Sequence, residues 1–250
     1  MEDVGMVLNL HGEVPSDPSK DICILNAEAK FLTHLKELHT AFPKLRIVLE
    51  HATTKEAVDM VKSLGPTVGC TITVHHLQLV IDNWAGYHHN FCKPVAKFPH
   101  DRDALRAVIK EGHPRFFLGS DSAPHPRSAK EKPVSCAGVF TTPLVMPYLA
   151  TILESFGALD KLRGFACDFG RRFYQLPAHP DADALPPTYP TVRLLRIPND
   201  DGASEAEEVR TLFTVPQSCE FVSKRHGGAT EREEVVPFWA GHLLTWRMAN

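Results

Sequence analysis

Four apolar runs in the first half of the chain end on residues that ligate metals or move protons. They are "MVLNLH" (6–11), ending on His11, and "LRIVLEH" (45–51), ending on His51. The third is "GCTITVHH" (69–76), ending on the pair His75 and His76, and the fourth is "RFFLGSD" (115–121), ending on Asp121. The fourth continues as "FFLGSDSAPH", which places His125 in the loop that follows. Neutral imidazole and carboxylate are the usual zinc ligands where a site must also hold a substrate. A carboxylate beside a metal can also act as a general base. A single strand-end histidine is more often a hydrogen-bonded structural residue. Gly119-Ser120-Asp121-Ser122 alone reads equally well as a turn whose Asp accepts backbone N–H groups. Four consecutive runs ending in His, His, His and Asp are much harder to explain that way. A serine nucleophile is excluded, because G-x-S-x-G needs Ser where Asp121 stands.

The elements that must position these residues follow from the pattern. The four runs are nearly continuous in apolar character, as in strands buried on both faces of a parallel sheet. Between them lie helical periodicities. In 27–42, Phe31, Leu32, Leu35, Leu38 and Phe42 share a stripe. The segment 54–64 is preceded by Thr53, with Glu56 at capping-box spacing. The segment 101–111 opens on Asp101 as an expected N-cap and stops at Gly112. The order β-α-β-α-β-loop-α-β predicts parallel βα units, and in such barrels active sites lie at the C-terminal ends of the strands. Helices are expected over 143–156, 158–165 and 168–176. The stretch 177–210 is rich in proline and then acidic, and reads as an irregular surface excursion. The remainder, 211–250, is expected to dock back on the body through its apolar tail, "EVVPFWAGHLLTWRM" (234–248).

Composition excludes several function classes. The 250 residues are 43% hydrophobic and 23% charged, as in ordinary globular proteins. A net charge of −3 with no basic block leaves no electrostatic footprint for nucleic acid. No apolar run approaches the roughly 20 residues needed to span a bilayer. "MEDVGMVLNL" is acidic where a signal peptide is basic. Cys23, Cys70, Cys92, Cys136, Cys167 and Cys219 are scattered without a C-x-x-C pair, so reduced thiols and a cytoplasmic setting are expected.

Eight motifs then occur in one order: "LNLHGEVP" (8–15), "VLEHATTKEAV" (48–58), "TITVHHL" (71–77), "CKPVAK" (92–97), "FFLGSDSAPHPRSAKE" (116–131), "CAGVF" (136–140), "FYQLP" (173–177) and "VPFWAG" (236–241). Together they resemble dihydroorotase, the single-function type of the amidohydrolase superfamily, over nearly the whole chain and least in 178–233. The resemblance implies an α/β fold, a (β/α)₈ TIM-type barrel, with two zinc ions per site. It implies reversible interconversion of (S)-dihydroorotate and N-carbamoyl-L-aspartate in pyrimidine synthesis. Carried over by motif, His11 and His51 ligate one zinc and His11 also lies against substrate. Asp121 ligates the other zinc and acts as the catalytic general base. His125 and Ala137 bind a substrate carboxylate, and Lys93 stands where a backbone group contacts the pyrimidine ring. The small-molecule substrate is the implied partner, and the family suggests a homodimer.

No metal role passes to His75 and His76, which read as supporting or structural. His88 and His89 read as solvated loop residues, and Thr53 and Thr54 as helix caps. Arg127, Lys130 and Glu131 are accounted for equally by the family's loop and by an exposed charged loop. "CAG" reads also as a tight turn.

The family's H-x-H pair, its substrate-gripping Arg and Asn, and its carboxylated bridging Lys lie upstream of "LHGE" and find no match. The four runs therefore correspond to strands five to eight, the C-terminal half of the barrel, followed by C-terminal helices and tail, with 1–176 as the partial barrel and its helices. A truncated gene product, an isoform or a fragment is expected, with weak zinc binding and impaired activity. Two alternatives remain: another cyclic-amide amidohydrolase, or a non-catalytic fragment acting by association with other chains.

Overall fold

A computed structural model describes residues 1–142, 144–176, 192–197, 214–224 and 230–249. Four strands, β1 (Leu8–His11), β2 (Ile47–Glu50), β3 (Val68–Ile72) and β4 (Phe116–Leu118), form one parallel sheet in sequential order. Leu10 stands opposite Leu49, and Leu49 opposite Cys70. Ile47, Leu49, Cys70, Ile72 and Phe116 are buried to within 1% exposure, so the near-continuous apolar runs are the sheet core. β1 is less enclosed: Asn9 and His11 are exposed and no strand among the described residues pairs with its outer edge. The outer edge of β4 is likewise unpaired.

Helices α1 (Ala27–Ala41), α2 (Lys55–Ser63), the short α3 (Ile81–Trp84) and α4 (Pro99–Glu111) connect the strands. α2 packs on α1, on α4 and on β3. Two helix starts differ from expectation by physically clear shifts. Thr54, not Thr53, caps α2 by accepting from Ala57 N–H, while the hydroxyls of both donate to Glu28. α4 starts at Pro99, which tolerates the first turn, so Asp101 lies inside it and accepts from Phe98 N–H. Gly112 ends α4 in the left-handed region at φ +74°.

After β4 come α5 (Arg127–Lys130) and α6 (Val145–Ser155). The segments expected as two further helices are a 3₁₀ turn (Leu159–Lys161) and one π-helical turn (Gly164–Asp168) running into α7 (Phe169–Phe173). Most of 177–210 lies outside the described residues, but β5 (Leu194–Arg196) within it pairs antiparallel with β8 (Trp246–Met248). β6 (Cys219–Lys224) and β7 (Thr230–Val235) form an antiparallel pair. The buried Tyr148 on α6 donates its hydroxyl to Phe238 O at 2.6 Å, fastening the last segment to the helices. Among the described residues no helix is long and apolar enough to cross a membrane.

Candidate active site at the strand ends

The ends of β1 and β2 bring two imidazoles together. His11 Nδ1 and His51 Nε2 stand 3.2 Å apart. Register explains this: His11 lies opposite Glu50, and His51 is the next residue. Gly12 packs against Leu49, whose side chain would have to shift to admit a Cβ there. Glu13 accepts a hydrogen bond from His11 Nε2 at 3.1 Å. A proton held there leaves Nδ1, the nitrogen facing His51, as the one available to a metal.

His51 is buried at 9% exposure, and burial with the neighbouring His11 lowers its pKa to about 4. Its backbone is fixed from two sides. Thr71 Oγ1 accepts from His51 N–H at 2.7 Å and donates to Glu50 Oε2 at 2.5 Å. The loop beyond is tied to α1: the Glu28 carboxylate, 1% exposed, accepts from the N–H and hydroxyl of Thr53 and the hydroxyl of Thr54. Lys97 Nζ donates to Thr53 Oγ1 in the same cluster. His51 thereby holds a φ of +42°, and Asp121 one of +39°. Left-handed backbone outside glycine is uncommon, and such strain concentrates at functional positions.

Asp121, just past β4, is partly buried. Burial raises its carboxyl pKa to about 6, opposed by His11 and assisted by Glu50. His125 Nε2 lies 3.0 Å from Ala137 O, so the "APH" and "CAG" loops meet. Ala123 N–H donates to Val139 O at 3.0 Å, and Gly138 N–H to Phe91 O at 2.9 Å. Gly138, at φ +152°, passes so close to Ala123 that a Cβ would overlap its carbonyl. The exposed Lys93 follows Phe91 in the third loop of this cluster.

His75 and His76 are fully buried. The His76 ring is engaged by Thr73 Oγ1 at 2.9 Å and Pro94 O at 3.0 Å, as suits a supporting residue. Among the described residues His75 has no hydrogen-bond partner at either ring nitrogen, and burial drops its pKa to about 3. With Cys92 the two form the one group of three ligand-type side chains, among the described residues, whose donor atoms all lie within 4.8 Å. Asp121 does not close on His11 and His51 at that spacing. The expectation of solvated loop histidines fails at His89, whose side chain is 10% exposed and paired with Glu131 at 2.9 Å. Lys130 is buried rather than exposed. Glu13, Glu28, Thr71 and Lys97 support the site without having been singled out. Only proximity to the histidine motifs marks them in the sequence.

The histidine pair fits a metal. Two nitrogens bound to one tetrahedral zinc at ~2.0–2.1 Å are about 3.3 Å apart. Here one lone pair is already directed by Glu13, and the facing imidazole is held neutral by burial.

No family model matches the chain. A curated relative named dihydroorotase, from Mycosarcoma maydis, is 47% identical over 100% of this chain and 68% of its own length. A probable dihydroorotase from Schizosaccharomyces pombe is 54% identical over 71% of this chain and 52% of its own. The solved structure of dihydroorotase in complex with 5-fluoroorotic acid, from Saccharomyces cerevisiae, superposes with a TM-score of 0.81. It is 37% identical, covering 100% of this chain and 64% of that one. The chain thus spans between about half and two thirds of the relatives that it matches.

Proposed function

Because the chain belongs to the dihydroorotase family, within the TIM-barrel amidohydrolases, we propose that its strand ends carry part of a site for reversible hydrolysis of (S)-dihydroorotate to N-carbamoyl-L-aspartate. The observation that supports this most is the 3.2 Å approach of His11 Nδ1 and His51 Nε2, with Glu13 setting the tautomer.

His11 and His51 would hold one zinc ion, and Asp121 a second. A bound zinc supplies a nucleophile at neutral pH and polarises a carbonyl. The residues of this chain do the rest. Asp121 takes the proton of the attacking water and returns it to the leaving ring nitrogen. His125 and the Ala137 N–H receive the substrate carboxylate. The backbone at Lys93 faces the pyrimidine ring, and His11 borders the substrate. The setting is cytoplasmic, and the assembled protein is a homodimer.

These 250 residues supply three of the proposed metal ligands, divided between two ions. As an isolated polypeptide they bind zinc weakly and turn dihydroorotate over slowly. The open edges of β1 and β4 favour the accompanying reading of association with further chain.

Cobalt(II) replacing zinc tests the site through its visible absorption. His11→Ala and His51→Ala should each abolish the histidine-ligand bands, and His75→Ala should leave them. Bands that survive His51→Ala, or vanish with His75→Ala, place the metal elsewhere.

A further inference from the structure

Lys130 lies in "PHPRSAKE", yet it is 3% exposed. Its ammonium donates to Phe91 O at 2.9 Å, Cys136 O at 2.9 Å and Gly138 O at 2.8 Å. An ammonium has three donors, and all are used. The Phe91 ring lies 6.0 Å from Nζ. Among the described residues no carboxylate pairs with this cation. A buried charge without a counter-ion is expensive unless its hydrogen bonds are complete.

The three carbonyls come from two segments far apart in sequence. Phe91 precedes Cys92 and Lys93, while Cys136 and Gly138 flank Ala137. Phe91 O accepts from both Lys130 and the Gly138 N–H, so the cation reinforces a single backbone link between the segments. The third loop, carrying His125, is held to the same place through Ala137 O. The carbonyls that face Lys130 also turn their peptide groups, and adjoining N–H donors are oriented by that choice.

We infer that Lys130 is a positioning residue for an anionic ligand: its ammonium clamps the Lys93 loop to the Ala137 loop and leaves an unpaired positive charge behind them. This rests on reading His125, Ala137 and Lys93 as ligand contacts. The ligand class is a cyclic ureide bearing one carboxylate. The clamp acts on the carboxylate, through loop geometry and charge, more than on the ring.

The zinc-supplemented chain is titrated by fluorine NMR with 5-fluoroorotate and with 5-fluorouracil, the same ring without the carboxylate. The wild type should prefer 5-fluoroorotate at least tenfold. Lys130→Met should cut that preference to under twofold without weakening 5-fluorouracil. It should also speed amide exchange at 91–93 and 136–139 at least tenfold. Retention of the preference, or unchanged exchange, overturns the inference. A wild type with no preference defeats the ligand reading itself, and exchange then decides the clamp alone. Should Lys130→Met not fold, acetic anhydride on the wild type replaces it. Lys130 should react at least tenfold more slowly than the exposed Lys132, and 5-fluoroorotate should slow it further. Equal reactivity of the two lysines overturns the clamp.

Discussion

At the scale of single residues, three strand-end groups respond to pH with opposite signs. Burial holds His51 near a pKa of 4 and His75 near 3, below the ordinary 6.5. The unfolded chain therefore binds more protons than the folded one between about pH 6.5 and 3, and stability falls as pH falls through that window. Thermal denaturation in chelator should show the melting temperature dropping below pH 6.5, and His75→Gln should flatten the drop. Asp121 runs the other way. Its folded pKa of about 6 lies above the ordinary 3.8, so its contribution is intact below 3.8 and lost as pH rises through 6. Asp121→Asn should accordingly raise the melting temperature of the metal-free chain at pH 7 and leave it unchanged at pH 4. No gain at pH 7 would mean that the carboxylate is not held in an unfavourable environment. This is the usual relation between a site and its scaffold: a carboxylate poised for proton transfer is one that the fold does not favour.

At the scale of elements, the loop after β2 depends on a partner from α1. Glu28 gathers three hydrogen-bond donors from Thr53 and Thr54, and Lys97 completes the cluster. Glu28→Ala strands a buried lysine and two hydroxyls, and should cost about 3–5 kcal/mol in urea denaturation. A loss under about 1 kcal/mol would show the loop to be held otherwise. Tyr148→Phe removes one buried hydroxyl and leaves the Phe238 carbonyl without it, so about 1–3 kcal/mol is expected. The strands and their terminal His11, His51 and Asp121 were legible in the sequence, because an apolar run that stops at a polar residue marks both the strand and its open end. The supporting residues were not. The periodicity of α1 separates apolar from polar faces, but it does not distinguish Glu28, which meets a distant loop, from the exposed Lys30 or Lys36. Lys130 is hidden for the same reason: its three acceptors are backbone carbonyls, which have no sequence signature. The start of α4 shifted because Pro99 opens the helix two residues before Asp101, whose carboxylate accepts from the Phe98 N–H.

At the scale of the whole molecule, the sheet has two open edges among the described residues, and the chain covers 64% of its solved relative from Saccharomyces cerevisiae. Parallel strands with free N–H and C=O rows recruit other strands. Sedimentation velocity on the isolated 250 residues should therefore show concentration-dependent self-association. A monomer at every concentration would mean that the edges are covered by residues of this chain. The proposed site has the same incompleteness, with three proposed ligands, His11, His51 and Asp121, at three of the four strand ends. The central claim, that these strand ends are half of a dihydroorotase site with Asp121 as its base, is tested most directly by substitution into a relative. In the Mycosarcoma maydis dihydroorotase the matching region is replaced by this chain, and dihydroorotate hydrolysis is measured with and without Asp121→Asn. The account predicts turnover by the chimera and a loss of at least about 100-fold on Asp121→Asn, with the metal-bound protein still folded. A folded, metal-loaded chimera without turnover, or one whose rate survives Asp121→Asn, would contradict it.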